Sequence, residues 1–412
     1  MSLPTVSVVV VSWRRPDALR RCLTSLQQQD HPALELCLVT DDPTAVPIPE
    51  GCRVAQNPAP NISAARNIGL AMARGEIVAF IDDDAVAEPT WAERLAAAFA
   101  DPRVVAATGF TRGRNGLSFQ WRAVETDATG ADHPLVVPPG LSLHPGTPLR
   151  SVKPVGANCA FRRDTLLRVG GFDPAYRFYL DDADVALRLA PLGLTAIVPQ
   201  AQVQHGFAAS DRRRADRVPR DLHEIGASAM VFLRRHAPEN DWARALERLR
   251  NDERRRMIGH MVDGRIEPSE VEPTLHTLED GITDGARRAL PALEPLSSAG
   301  NHGFMPLPGT GPRPGRVIAG RTWQHARLAR AARAAVAGGA LVTLFRFSPT
   351  ALRHRHRFHP DGYWEQWGGL FGPADRSEPV FRLTLFRARL RQECRRWAEL
   401  RPCEAGERIE AV

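Results

Sequence analysis

The chain has 412 residues, 43% of them hydrophobic and 25% charged, a balance that excludes a disordered or fibrous protein and allows two or more domains. Its formal charge is +7 and its pI near 9.6, and the excess is almost all arginine, since Lys153 is the one lysine. Such a bias reads as compositional, so no nucleic-acid partner is expected, whereas an anionic lipid or anionic substrate suits a basic surface.

The six cysteines, Cys22, Cys37, Cys52, Cys159, Cys394 and Cys403, form no CxxC pair and have no histidine at zinc-site spacing. They read as scattered thiols of a reducing compartment. Met1 leads straight into a strand-like run, with no basic region and apolar core of a leader, so a secretory signal is not expected. The Asn61-Ile62-Ser63 sequon is then accidental. The longest late apolar run, 334–345, falls short of the roughly 20 residues a spanning helix needs. The expected location is cytoplasmic, with contact possible at the inner face of the cell membrane.

Residues 6–11 are a buried strand, broken by Arg14-Arg15-Pro16-Asp17. Leu19, Cys22, Leu23 and Leu26 then recur at helical spacing. Residues 34–40 form a second strand ending in Asp41-Asp42-Pro43, which completes a βαβ unit with a right-handed crossover. After a Pro-rich loop, 63–74 reads as a helix capped by Asn61 or Ser63 and stopped by Gly75. The run 77–81 is wholly apolar, as in a strand covered on both faces, and ends in Asp82-Asp83-Asp84. Ligands of open α/β sheets gather at such strand ends, and three adjacent acids there call for a cation.

An amphipathic helix near 90–100 and a strand at 104–108 follow. The stretch 109–151, rich in Gly, Pro and polar residues, reads as a long variable loop. Order returns in a strand at 155–161 and a helix at 163–169. Leu180, Ala183, Leu187 and Ala190 share one helical face, which sets Asp181, Asp182 and Asp184 at that helix's start, where negative charge is favoured. Residues 194–198 and Val203 then lead to His205. Beyond about residue 230, the segments 221–257 and 317–346 and a final stretch 380–400 read as Arg-rich amphipathic helices, with a Gly/Pro linker at 306–315. The expected division is 1–230 for an α/β domain and 231–412 for a mainly helical extension, membrane-surface or acceptor-related.

Several blocks recur in a familiar order. They are Val6-Ser7-Val8-Val9-Val10-Val11-Ser12-Trp13, Val39-Thr40-Asp41-Asp42, Asn61-Ile62-Ser63-Ala64-Ala65-Arg66-Asn67-Ile68-Gly69, Phe80-Ile81-Asp82-Asp83-Asp84, Gly156-Ala157-Asn158-Cys159-Ala160-Phe161-Arg162-Arg163, Gly170-Gly171-Phe172-Asp173 and Leu180-Asp181-Asp182-Ala183-Asp184. In this order they resemble the inverting, family-2 nucleotide-sugar glycosyltransferases over roughly residues 4–210. The resemblance implies a Rossmann-like GT-A fold, with a mostly parallel mixed sheet flanked by helices. It also implies sugar transfer from a nucleotide-diphosphate donor to a hydroxyl of a saccharide or lipid-linked acceptor, in surface polysaccharide or glycolipid synthesis.

Its site residues carry over position by position. Asp84 and Asp82, joined by His205, would hold Mn2+ or Mg2+, hard cations that accept carboxylate oxygen and tolerate one imidazole. Asp182 would deprotonate the acceptor, with Asp181 beside it where Glu is more usual; the carboxylate is kept and its reach shortened. Asp41, Arg66, Asn67, Asp82, Asp83 and Asn158 would contact the nucleotide sugar. Trp121 fits either stacking on an acceptor ring or packing.

Two other readings compete. In haloacid-dehalogenase-like phosphatases an Asp-x-Asp, a Thr, a Lys and an acidic pair follow one another, as Asp82, Asp84, Thr108, Lys153 and Asp181-Asp182 do here, but residues 1–75 and His205 are then unexplained. A non-catalytic nucleotide-sugar binder is the other. The tract Arg353-His354-Arg355-His356-Arg357-Phe358-His359, after an apolar stretch and near Trp364, Trp367 and Phe371, fits either an anionic-lipid contact or a solvated basic loop.

Overall fold

The computed structural model describes residues 3–300, 302–403 and 410–411. Strand β1 (Val6–Ser12) is followed by helix α1 (Pro16–Leu26) and by strands β2 (Leu34–Thr40) and β3 (Arg53–Gln56). Helix α2 (Ile62–Met72) begins at Asn61, whose side chain accepts from the Ala64 N–H at 3.1 Å. Strand β4 (Ile77–Asp82) leads through the acid turn into the short β5 (Ala85–Ala87), helix α3 (Trp91–Ala98) and strand β6 (Val104–Arg112).

The stretch expected to be a loop is partly ordered as sheet. Strand β7 (Phe119–Trp121) pairs with β6. Strands β8 (Val124–Asp127) and β9 (Asp132–Pro134) form a small antiparallel sheet with β11 (Arg150–Val152), and β10 (Ser142–His144) joins the main sheet. Alternation here is too short for a periodicity argument; neighbouring chain, not local sequence, supplies the hydrogen bonds. Strand β12 (Asn158–Arg162), helices α4 (Arg163–Arg168) and α5 (Asp181–Leu189) and strand β13 (Leu194–His205) complete the α/β unit.

The main sheet runs β10-β13-β6-β12-β4-β1-β2-β3, with β5 also on β13 and β7 on β6. The strands β3, β2, β1 and β4 are parallel, as are β6 and β13, while β12 runs antiparallel between β4 and β6. Helices flank this mixed α/β sheet. The continuous apolar runs sit in its centre because both faces are covered: Val8, Leu36, Leu38 and Ala79 pack under α1 and α3, whereas Val9, Val78 and Phe80 pack under α2 and α5. Two registers matter for the site. Val11 lies opposite Asp82 across β1 and β4, and His205 lies opposite Ala85 across β13 and β5.

The helical part is α6 (His223–His236), α7 (Glu239–Val262) and α8 (Pro268–Arg287). The single segment expected over 221–257 is broken at Ala237-Pro238, since Pro cannot continue a helix. The helix expected over 317–346 is instead strand β14 (Gly315–Arg321), helix α9 (His325–Ala337) and strand β15 (Leu341–Ser348), a βαβ unit. Its apolar run 341–345 is β15, buried between α9 and the last helix. Strands β16 (Arg355–Phe358) and β17 (Trp364–Gly369), helix α10 (Phe386–Trp397) and strand β18 (Glu410–Ala411) finish the second sheet, ordered β16-β17-β15-β14-β18.

The basic tract is therefore strand, not loop. His356 is stacked between Trp364 and Trp397, with centroids 5.2 and 4.1 Å away, and His354 bonds Gly369 O and Gln366. Arg355 and Arg357 alternate outward. Nor is 306–315 a free linker, since Leu307 is buried and donates its N–H to Leu34 O at 2.7 Å.

Candidate functional site

The centre lies where β4 ends. Among the described residues, Asp82, Asp84 and His205 offer two carboxylate oxygens and one imidazole nitrogen within 4.8 Å of one another. His205 Nε2 is 3.1 Å from Asp84 Oδ1 and 3.9 Å from Asp82 Oδ2. Its other nitrogen, Nδ1, lies 3.0 Å from Gln120 Oε1. That amide oxygen can only accept, so Nδ1 donates and Nε2 is aimed at the acids. A ligating histidine is commonly oriented in this way by a bond to its far nitrogen. An O, O, N donor set of this kind fits Mn2+ or Mg2+.

The middle aspartate has a different task. Asp83 is wholly buried, accepts from Ser12 Oγ at 2.8 Å and pairs with Arg15 at 2.7 Å. Burial lifts its pKa to about 7 even with Arg15 beside it. It anchors the turn to β1 and is not placed to meet a nucleotide. Asp84 is buried too, but His205, Arg15 at 3.4 Å and the Ala208 N–H at 2.8 Å outweigh burial and hold it well below the usual carboxylate range. The two neighbours titrate oppositely because only Asp84 has this second set of partners. Burial opposes charge on His205, yet Asp84 and Asp82 prevail and raise its pKa.

Arg66 links this centre to the acid pair. Its buried guanidinium pairs with Asp181 and reaches Asp82 at 3.4 Å and Gly156 O at 3.1 Å. Burial disfavours the charge, but Asp181 and Asp82 overcome it and raise its pKa. Asp181, desolvated in its turn, has a pKa of about 6 despite Arg66. Arg66 was expected to contact the nucleotide sugar or its phosphates; both of its terminal nitrogens are engaged, by two carboxylates and a carbonyl. Asp182, half-buried, accepts from the Gly156 N–H at 3.0 Å and the Ala183 N–H at 2.8 Å. The residues before the pair, Tyr179 and Leu180, have φ of 75° and 65°. Two non-glycine residues in this sparsely populated region hold the acids in place at the cost of local strain.

The two asparagines do not join the group. Asn67 Nδ2 donates to Phe172 O at 2.7 Å and its Oδ1 accepts from Phe172 N–H at 2.8 Å, clamping the Gly170-Gly171 turn. Asn158, fully buried, bonds Phe110 O, Ala201 O and the Trp91 indole N–H. Both amides are spent on the scaffold. Asp41, at the end of β2, accepts from the Arg14 N–H at 3.0 Å and is partly exposed. Residues the sequence reading passed over are Ser12, Arg15 and Gln120. Ser12 and Arg15 flank the end of the first strand, a recognisable position; Gln120 lies in the variable stretch and carried no signal.

Thr108 and Lys153 also bear on the phosphatase alternative. Thr108 donates to Asn158 O on β12, which separates β6 from β4, and Lys153 is paired with Asp132 at 2.5 Å. Both are thus bonded to partners other than Asp82.

Residues 7–166 match the family model described as Glycosyl transferase family 2. A protein of Bacillus subtilis (strain 168) named "Putative glycosyltransferase EpsH" is 32% identical over 104 residues, 23% of this chain and 30% of that protein. The match thus spans about a third of that relative's length. Two solved structures are similar at low identity. One is GalNAc-T7 with UDP, GalNAc and Mn2+, with a TM-score of 0.41 and 17% identity over 49% of this chain and 43% of that one. The other is the Pyrobaculum calidifontis mannosyltransferase PcManGT with GDP-Man and Mn2+, with a TM-score of 0.38 and 19% identity over 71% and 78%. The resemblance drawn from the motifs is met over the matched residues.

Proposed function

We propose that this chain is an inverting, metal-dependent glycosyltransferase that moves a sugar from a nucleotide-diphosphate donor to an acceptor hydroxyl. The observation that carries the reading is the convergence of Asp82, Asp84 and His205 at the end of β4, tied through Arg66 to the Asp181-Asp182 helix start. A divalent cation held by Asp84, Asp82 and His205 would offset the charge gathering on the departing diphosphate. Asp182 accepts the proton of the acceptor hydroxyl as its oxygen bonds to the anomeric carbon and the bond to the diphosphate breaks. Asp181 holds Arg66, and through it keeps Asp82 in place. Asp41 contacts the nucleoside.

In this reading residues 1–230 form the transferase domain and 231–412 an extension that shapes the acceptor side. The acceptor belongs to a surface polysaccharide or glycolipid, assembled at the inner face of the cell membrane. No helix among the described residues is long and apolar enough to cross a membrane. A non-catalytic sugar-nucleotide binder has no use for an aspartate set at a strained helix start, so transfer is favoured over binding alone.

Thermal shift with a panel of nucleotide diphosphates, with and without Mn2+, identifies the donor. With that donor, Asp84→Ala and Asp182→Asn are each expected to lower transfer on the order of a hundredfold or more. Asp182→Asn should leave donor binding near normal, and NMR of the first-formed product should show inverted anomeric configuration. Undiminished turnover in either variant, or retained configuration, defeats the assignment.

A further inference from the structure

Beside the centre a cavity of about 450 Å³ opens between the α/β unit and α7. Its inner wall includes Gln120, which holds His205, and Tyr179, two residues before Asp181. Arg213 and Arg217 enter from the loop after β13, Arg256 and His260 from α7, and Arg265 from the turn beyond it, with Trp121 as an apolar wall. Three carboxylates also line it. Glu224 is taken at 2.9 Å by Arg288, which lies outside the lining, Glu253 pairs with Arg256 at 2.8 Å, and Asp221 accepts from the His223 N–H. Asp221 keeps its charge and Arg265 pairs with Asp263 at 3.0 Å, yet the lining holds five arginines, Arg212 included, against three carboxylates, so cations remain in excess.

Among the described residues neither Arg213 nor Arg217 forms an ion pair with a carboxylate; the Arg217 guanidinium lies 4.3 Å over the Phe207 ring. Burial, and then the neighbouring cations, lower the pKa of Arg217 and His260, and burial lowers that of Arg213 although Asp84 opposes it. Like charges gathered in a partly desolvated cavity are unfavourable until an anion enters. Several guanidinium forks converging on one space exceed what a single carboxylate can use, and suit the multiple oxygens of a phosphate. Arg256, His260 and Arg265 lie outside residues 7–166, so the family match does not account for them.

We propose that this cavity is an acceptor subsite for a phosphate ester, so that the acceptor presented to Asp182 is itself phosphorylated. The inference rests on the transferase reading and names the class of its acceptor. The phosphate comes from either a soluble phosphosaccharide or a lipid-linked phosphate; the chemistry read by Arg217, Arg256, Arg265 and His260 is the same.

The test uses the full chain in EDTA, so that the acid centre cannot capture phosphate through a metal. Methyl phosphate is titrated calorimetrically, and binding to phosphatidylglycerol and phosphatidylcholine vesicles is measured by sedimentation. Wild type should bind methyl phosphate saturably, or bind the anionic vesicles alone if the source is a lipid. The triple variant Arg217→Gln/Arg256→Gln/Arg265→Gln should weaken that binding by about tenfold or more. No binding in either arm, equal binding by the triple variant, or equally strong binding of acetate overturns the proposal. Thermal shift of the same proteins with nucleotide diphosphate and Mn2+ separates the two claims. Loss of that shift in wild type sinks the donor site, whereas its persistence in the triple variant confines the change to the acceptor cavity.

Discussion

Three consecutive aspartates meet three different fates, decided by which way each side chain leaves the strand. Asp82 faces the open centre, Asp83 turns into the scaffold on Ser12 and Arg15, and Asp84 turns back to His205 and Ala208. Gln120 is the residue whose role the structure defines best outside the acids. It fixes the tautomer of His205, and such outer partners are typically worth about 10–100-fold in metal affinity. Gln120→Leu is accordingly expected to weaken Mn2+ binding by that order, read by Mn2+ titration under paramagnetic resonance. Unchanged affinity would show that the Nδ1 bond does not position the imidazole.

At the scale of elements, β16 illustrates burial with a pH signature. His356 is sandwiched between Trp364 and Trp397, and its Nε2 accepts from Arg401 at 2.8 Å. Burial first, then Arg401 and Arg112, push its pKa well below the ordinary 6.5. Folded, it stays neutral; unfolded, it takes up a proton below about pH 6.5. Its titration therefore costs nothing above that pH, and stability falls as pH drops below it, by up to about 1.4 kcal/mol per pH unit. In denaturant melts at pH 7, 6 and 5, His356→Gln should lose stability more shallowly than wild type. Parallel slopes would mean that the imidazole is not held neutral.

For the whole molecule, the second sheet is docked on the unit of the main sheet through buried charge. Arg401 Nη1 lies 2.6 Å from Glu88 Oε2, both almost wholly buried, and Gln204 Nε2 donates to His356 O at 3.1 Å. Burial raises the pKa of Glu88, with Arg401 and Arg112 opposing it. Removing one partner of such a pair leaves a buried charge, at a typical cost of about 3–5 kcal/mol. Arg401→Ala should lower the melting temperature by several degrees in calorimetry, and Glu88→Gln/Arg401→Met should recover part of the loss. A melting curve unmoved by Arg401→Ala would rule out the pair as a joint between the two sheets.

Much of the α/β unit was legible because its signals are local. An apolar run of strand length ending in Asp82-Asp83-Asp84, a βαβ spacing over residues 6–40 and an acidic helix start at Asp181 are each contained within a few residues. The convergence of Asp82, Asp84 and His205 was legible through motif order as well. The folding of 315–369 into a second sheet was not, because 317–346 alternates short strands with an Ala- and Arg-rich helix whose periodicity masks them. Pairing partners far along the chain decided that stretch. The same holds for Asn67, Asn158 and Arg66, whose polar atoms are claimed by Phe172, Trp91, Asp181 and other groups distant in sequence. The sequence by itself determined which chemistry gathers at the end of β4, since residue type and strand boundary suffice for that. Only the tertiary structure decided which side chains remain free to perform it, because hydrogen-bond capacity is spent on whatever neighbours the fold supplies.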